Sequence, residues 1–181
     1  MFGFFFVPVK LVAKILLQEV WRANHDWDDA LSPAILQKWE TWTKSFKKHK
    51  QVDLPRCITP ATRHLFSDAS ETGYGAVAYF RFERDSEVKI SFMMAKSRVA
   101  PLKLTTISRL ELLGALFAVR LANTIRDELH LPIDSTQFHT DSITVLRWMK
   151  STRCRFNTYV GSRISRNIGG HHTGPVATCP G

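Results

Sequence analysis

Cysteine is scarce. Cys57, Cys154 and Cys179 stand far apart with no Cys-x-x-Cys pair, so the chain offers neither a zinc knuckle nor a disulfide framework, and a reducing compartment is the inference. Long apolar runs are missing too. The opening stretch from Met1 to Val9 is interrupted by Pro8 and followed by Lys10 and Lys14, and no later run approaches the roughly 20 apolar residues of a membrane span. The expectation is a cytoplasmic protein with no membrane partner. Internal repeats are absent. Acids are the minority charge, with 16 Asp and Glu against 25 Lys and Arg and a formal net charge of +9. Such a balance favours polyanionic partners, because each cation set against a phosphate releases a condensed counterion. What remains, 181 residues that are 44% hydrophobic, is enough for one domain with an appendage and a real core.

Two helices are expected first. Pro8 suits a first helical turn, and Leu11, Val12, Ile15, Leu16 and Val20 give an apolar side up to about Arg22. Ser32-Pro33 reads as an N-cap followed by proline, opening a helix that carries Ile35, Trp39, Trp42 and Phe46 on one side and ends among Lys44, Lys47 and Lys48. These aromatics read as packing rather than as base-stacking groups. Leu54-Pro55-Arg56-Cys57 and Thr59-Pro60 then break the pattern, so the chain divides into a helical connection segment (1–59) and a domain from residue 60 to 167.

Within that domain the period changes. His64 to Ser67, Tyr74 to Phe82 and Val88 to Ala95 read as three strands with short connections, hence an antiparallel meander. A helix from Ser108 to about Leu129 is stopped by Pro132, and a fourth strand, Thr136 to Thr140, precedes a short helix from Ser142 to Lys150. A strand entered after a crossover helix runs parallel to an earlier one. The fold class expected is therefore α/β, a mixed sheet with flanking helices. Residues 168–181, rich in Gly and Pro and including His171 and His172, are expected to be a disordered tail.

Three acids stand where these elements begin or end. Asp68 closes the first strand, and its alternatives are a turn former or a metal ligand held on rigid sheet. Glu111 lies in Ser108-Arg109-Leu110-Glu111, which matches a capping box, yet it also heads a stripe of Gly114, Ala115, Ala118 and Ala122 small enough to let the helix lie close to a sheet. Asp141 is either the N-cap of the last helix or a ligand at the end of the fourth strand. If the first and fourth strands are adjacent and parallel, Asp68 and Asp141 both lie toward their carboxyl ends, where α/β sheets hold ligands, and Glu111 enters from the crossover helix. Oxygen-only ligands suit Mg²⁺ or Mn²⁺, and two such ions about 4 Å apart promote in-line phosphodiester cleavage.

Ser67-Asp68-Ala69-Ser70, Gly73-Tyr74-Gly75-Ala76, Arg109-Leu110-Glu111-Leu112-Leu113-Gly114-Ala115 and Thr140-Asp141-Ser142 with Val145-Leu146-Arg147-Trp148 together resemble the RNase H region of BEL/Pao-type retrotransposon polyproteins. Ala13 to Trp21, Trp27-Asp28 and Leu54 to Cys57 are similar to the segment that joins reverse transcriptase to RNase H there. The resemblance spans roughly residues 8 to 166 and implies an RNase H-like domain that hydrolyses the RNA strand of an RNA–DNA hybrid during reverse transcription. Its partners would be the hybrid and the remainder of the polyprotein, its location the cytoplasm within virus-like particles.

The family pattern continues with a further strand and an Asn-Pro-Ala-Asp-type motif that supplies a fourth acid, whereas Asp141 is the last Asp or Glu in this chain. The expectation is accordingly a C-terminally incomplete domain, inactive by itself, with a non-catalytic nucleic-acid-binding module or a host interaction protein as the alternatives. The basic stretch after Ser142 offers Arg147, Lys150, Arg153 and Arg155 for phosphate contact. Neither the Tyr-x-Asp-Asp motif of a reverse transcriptase nor the Asp-Ser/Thr-Gly signature of an aspartic protease is present.

Overall fold

The computed structural model describes residues 3–47, 61–84, 87–130, 133–150 and 177–178. Four helices, α1 (Gly3–Arg22), α2 (Pro33–Lys47), α3 (Ile107–Leu129) and α4 (Ile143–Lys150), accompany five strands, β1 (Ala61–Ala69), β2 (Gly73–Arg84), β3 (Glu87–Val99), β4 (Ile133–Thr140) and β5 (Ala177–Thr178). The sheet order is β3-β2-β1-β4-β5. β1, β2 and β3 form the expected antiparallel meander, and β4 joins β1 in parallel. The two-residue strand β5 pairs in parallel with the end of β4, so Ala177 and Thr178 depart from the structureless tail expected of residues 168–181.

Alternation along the strands decides which side is buried. Ala76, Ala78, Phe80 and Phe82 of β2, with Leu65 of β1, turn to one face and meet Ala118, Leu121, Ala122 and Ile125 of α3. Leu65, Ala78 and Ile125 are fully buried, and a buried Leu or Ile side chain is worth about 1.5–3 kcal/mol over an exposed one. The small-residue stripe on α3 works as expected, since Gly114, Ala118 and Ala122 are buried and Ala115 half-buried. A second cluster, Leu112, Leu116 and Val145 with Trp148 and Met149, holds α4 against α3.

Arg63 is the exception in this apolar layer. It is 5% exposed, donating from Nη1 to the Ala122 carbonyl at 2.7 Å and from Nε and Nη2 to Thr136 Oγ1 at 3.2 and 2.8 Å. Burial, and then the charge of Arg126, push its pKa down to about 10.

The other face of the sheet carries α1 at its β3 edge. Lys14 Nζ donates to the Ser97 carbonyl at 2.5 Å, and Gln18 Nε2 to the Ala100 carbonyl at 3.1 Å. Leu11 packs flush on Gly73, where an added Cβ would lie 2.9 Å from Leu11 Cδ1 and 2.7 Å from the Arg98 carbonyl oxygen. α1 is thus packed onto the sheet. α2 is joined to α1 by a Lys38–Glu19 ion pair at 2.7 Å and by Trp42 Nε1, which donates to the Val9 carbonyl at 2.8 Å. Trp39 lies tilted against Trp42, with ring centroids 4.9 Å apart, but is 44% exposed, so packing accounts for one of the two rings and only part of the other.

Two local expectations are corrected. α1 starts at Gly3, so Pro8 lies in its second turn, where its missing N–H forgoes one bond of a helix whose apolar stretch carries on regardless. α3 is preceded by Thr106 in extended conformation with no side-chain cap, so Ser108 lies inside the helix and the expected capping box does not form. Among the described residues no helix is long and apolar enough to cross a membrane.

Candidate metal and nucleic-acid site

Phe66 of β1 pairs with His139 of β4, and two further residues along each parallel strand lead to Asp68 and Asp141. Both acids therefore leave the carboxyl ends of neighbouring strands. Glu111 arrives from α3, which approaches closely because Gly114 has no side chain: a Cβ there would lie 3.2 Å from the Asp68 carbonyl oxygen. Glu111 Oε2 accepts a hydrogen bond from Ser142 Oγ at 2.6 Å, so the helix acid is tied to the residue beside Asp141. That same Ser142 oxygen accepts the Val145 N–H at 3.2 Å, and the Ser142 carbonyl accepts the Leu146 N–H. Ser142, not Asp141, caps α4, which leaves Asp141 exposed and free of that role.

Asp68 feels both other acids. Its outer edge is exposed, but partial desolvation raises its pKa above the ordinary carboxylate value. The Ala69 N–H, donating to Oδ1 at 2.7 Å, opposes that rise, and the negative charges of Asp141 and Glu111 add to it. The sequence-predicted triad is thus gathered at one end of the sheet. It is not drawn tight: among the described residues no three His, Cys, Asp or Glu side chains are grouped closely enough to hold a metal ion. In kind, three mutually repelling carboxylates fit a hard divalent cation, which relieves the repulsion and accepts oxygen ligands.

Beside Asp68 opens a cavity of about 220 Å³, walled by Leu11, Phe66, Tyr74, Val77 and Ser97 and floored by Gly73 and Gly75. Behind it, His64 Nδ1 and His139 Nε2 share a hydrogen bond at 3.0 Å, and His139 stacks on Phe66 at 4.5 Å. Burial lowers the pKa of both imidazoles, with the neighbouring His139 and Arg81 adding to the effect on His64. This neutral pair escaped the sequence reading; its one sequence signal is that both residues fall on strands that turn out to be neighbours. Of the basic residues expected to contact phosphate, Arg147 is exposed on α4. The Lys150 side chain, Arg153, Arg155, His171 and His172 lie outside the described residues.

The sequence pattern of the Pao retrotransposon-like RNaseH-like domain matches residues 3–142. Among solved structures, the foamy viral protease-reverse transcriptase in complex with dsDNA is similar at a TM-score of 0.57 and 10% identity, over 91% of this chain and 33% of that one. RNase H1 from the halophilic archaeon Halobacterium salinarum NRC-1 matches at a TM-score of 0.42 and 10% identity, over 67% of this chain and 86% of that one. LC11-RNase H1 in complex with an RNA/DNA hybrid matches at 0.41 and 11% identity, over 60% and 73% respectively. The chain matches no curated protein sequence. Its mixed sheet with flanking helices is an RNase H-like fold.

Proposed function

The chain belongs to the Pao retrotransposon-like RNaseH-like domain family, and from that premise we propose that its carboxylate end is built to hydrolyse the RNA strand of an RNA–DNA hybrid. One observation carries the reading: Asp68 and Asp141 end adjacent parallel strands, and Asp68 responds to the charges of both Asp141 and Glu111. These three residues would hold Mg²⁺ or Mn²⁺, which when bound supplies an activated water and stabilisation of the leaving oxygen. The chain itself contributes position. Pairing of β1 with β4 sets the spacing of the two aspartates, the Ala69 N–H orients Asp68, and the Ser142 hydroxyl orients Glu111. A hybrid is the fitting substrate because its 2′-hydroxyls and wide minor groove mark the RNA strand. The reading carries with it a connection segment over residues 1–59 and a location in cytoplasmic virus-like particles, with the rest of the polyprotein as partner.

A second reading has its own support. Among the described residues the three acids are not grouped closely enough to hold a metal ion, which favours hybrid binding with weak turnover. The test is a labelled hybrid incubated with the full chain in EDTA, Mg²⁺ or Mn²⁺. Cation-dependent cutting of the RNA strand that disappears in Asp68→Asn supports the nuclease reading, and tight binding with no cutting in either metal supports the second. Cutting that survives Asp68→Asn excludes the triad. Mn²⁺ binding followed by electron paramagnetic resonance, lost in the same variant, reports on the site independently of turnover.

A further inference from the structure

Three cations that the nuclease reading leaves unused, Lys10, Lys14 and Arg98, meet where α1 lies on the edge strand. Lys10 and Lys14 are one helical turn apart on α1, so they share a side of that helix. Lys14 is anchored through its Nζ on the Ser97 carbonyl. Arg98, the next residue of β3, leans over the Phe117 ring at 5.5 Å. All three are exposed. Among the described residues none of them is in an ion pair, as Lys38, Lys44, Arg81, Lys89 and Arg126 are.

Lys14 feels the other two: its pKa is lowered first by burial and then by the charges of Lys10 and Arg98. Like charges held together without a counter-charge are relieved by an anion. The position of the group narrows which anion. Leu11, next to Lys10, and Ser97, the anchor of Lys14, are walls of the cavity that Asp68 also lines. The two lysines on the α1 face and Arg98 on the α3 face therefore meet around the β3 edge at the carboxylate end of the sheet, and an extended chain of phosphates crossing that edge fits them better than a single small anion does.

We propose that Lys10, Lys14 and Arg98 form a polynucleotide-backbone site, in which the connection helix α1 and the edge strand β3 grip phosphates of a strand passing the Asp68 cavity. The contact is to phosphate and carries no sequence preference. It deepens the hybrid-processing reading by giving the connection helix a share in holding the nucleic acid, but it requires no cutting.

The experiment is a fluorescence-anisotropy titration of an RNA–DNA hybrid with the full chain in EDTA, repeated from 50 to 200 mM salt. Each phosphate contact contributes about 0.9 to the slope of log affinity against log salt. Lys10→Gln is expected to lower the slope by about one, and Lys10→Gln with Arg98→Gln by about two, whereas Lys89→Gln, which breaks an ion pair at the far end of β3, leaves it unchanged. Lys14→Arg, which retains the charge, is expected to bind as the parent does. Among the described residues Lys10 has no side-chain hydrogen-bond partner, so its variant is expected to keep the melting temperature and the test stands even where Arg98→Gln loosens the edge. An unaltered slope in Lys10→Gln and in the double variant overturns the proposal, as does equal competition by inorganic phosphate at the same phosphate concentration as the hybrid. Binding with altered slopes but no cutting in Mg²⁺ sinks the nuclease reading and leaves this one standing; cutting with unaltered slopes does the reverse.

Discussion

The Ser142 hydroxyl donates to Glu111 Oε2 at 2.6 Å while its oxygen accepts the Val145 N–H at 3.2 Å. One side chain thereby starts α4 and fixes the acid of α3. Ser142→Ala removes both bonds, and loss of the cap alone costs about 1 kcal/mol. The expected outcome is a lower denaturation midpoint with an unchanged m-value, largely restored by Ser142→Thr. If the Ala variant unfolds at the parent's midpoint, the hydroxyl is not the link between the two helices.

Asp68 gives a pH-dependent prediction. Its pKa in the folded chain is raised above its value in the unfolded chain, so between those two values the folded state holds more of the proton. Stability then falls as pH rises through that window, and the cost is fully present at neutral pH. Asp68→Asn is expected to melt higher than the parent at pH 7 in EDTA, with the difference closing below about pH 4, where the parent's carboxyl is protonated in both states. Added Mn²⁺ is expected to raise the melting temperature of the parent and not of Asp68→Asn. Equal melting at pH 7, or a gap that widens on acidification, contradicts the electrostatic picture of the triad.

The strands and the long helix were legible because their signals are local. Alternation in β2 and the small residues Gly114, Ala118 and Ala122 in α3 state which faces are buried, and the acids at strand ends follow from that register. The caps were not legible. Asp141 and Ser142 are adjacent and equally good N-caps; only Glu111, 31 residues earlier and brought across by tertiary packing, decides in favour of Ser142. The Ser108 to Glu111 capping box fails for a local reason, because α3 begins one residue before Ser108. The seat of α1 was hidden as the cap of α4 was: an apolar stripe says that a helix docks, and only the bare backbone at Gly73 says where.

Gly73 is therefore a sensitive position. Its φ is not positive, so the demand is for space: a Cβ would come 2.7 Å from the Arg98 carbonyl oxygen, which belongs to rigid sheet, and 2.9 Å from Leu11 Cδ1. Gly73→Ala is expected to cost about 1–3 kcal/mol through overpacking and to loosen α1. Urea unfolding measures the first effect, and faster amide exchange confined to α1 the second. Gly73→Ala combined with Leu11→Ala relieves the contact with α1 and not that with Arg98, so partial recovery is expected; complete recovery makes Leu11 the whole of the constraint.

Arg63 and Thr136 allow a sharper test, because the buried guanidinium depends on neutral partners. Thr136→Val removes the oxygen that accepts from both Nε and Nη2, leaving buried donors unmatched at a cost of about 1–3 kcal/mol. The depressed pKa of Arg63 shows that its charge is already disfavoured by burial, so an apolar side chain of similar length removes the charge along with the unmatched donors. Arg63→Met introduced into Thr136→Val is therefore expected to be no less stable than Thr136→Val alone. In a double-mutant cycle by urea unfolding this appears as strong coupling between the two positions. Simple additivity, with the double variant losing the sum of the two single losses, means that Arg63 stabilises the sheet by packing its alkyl stem and not through its bonds to Thr136.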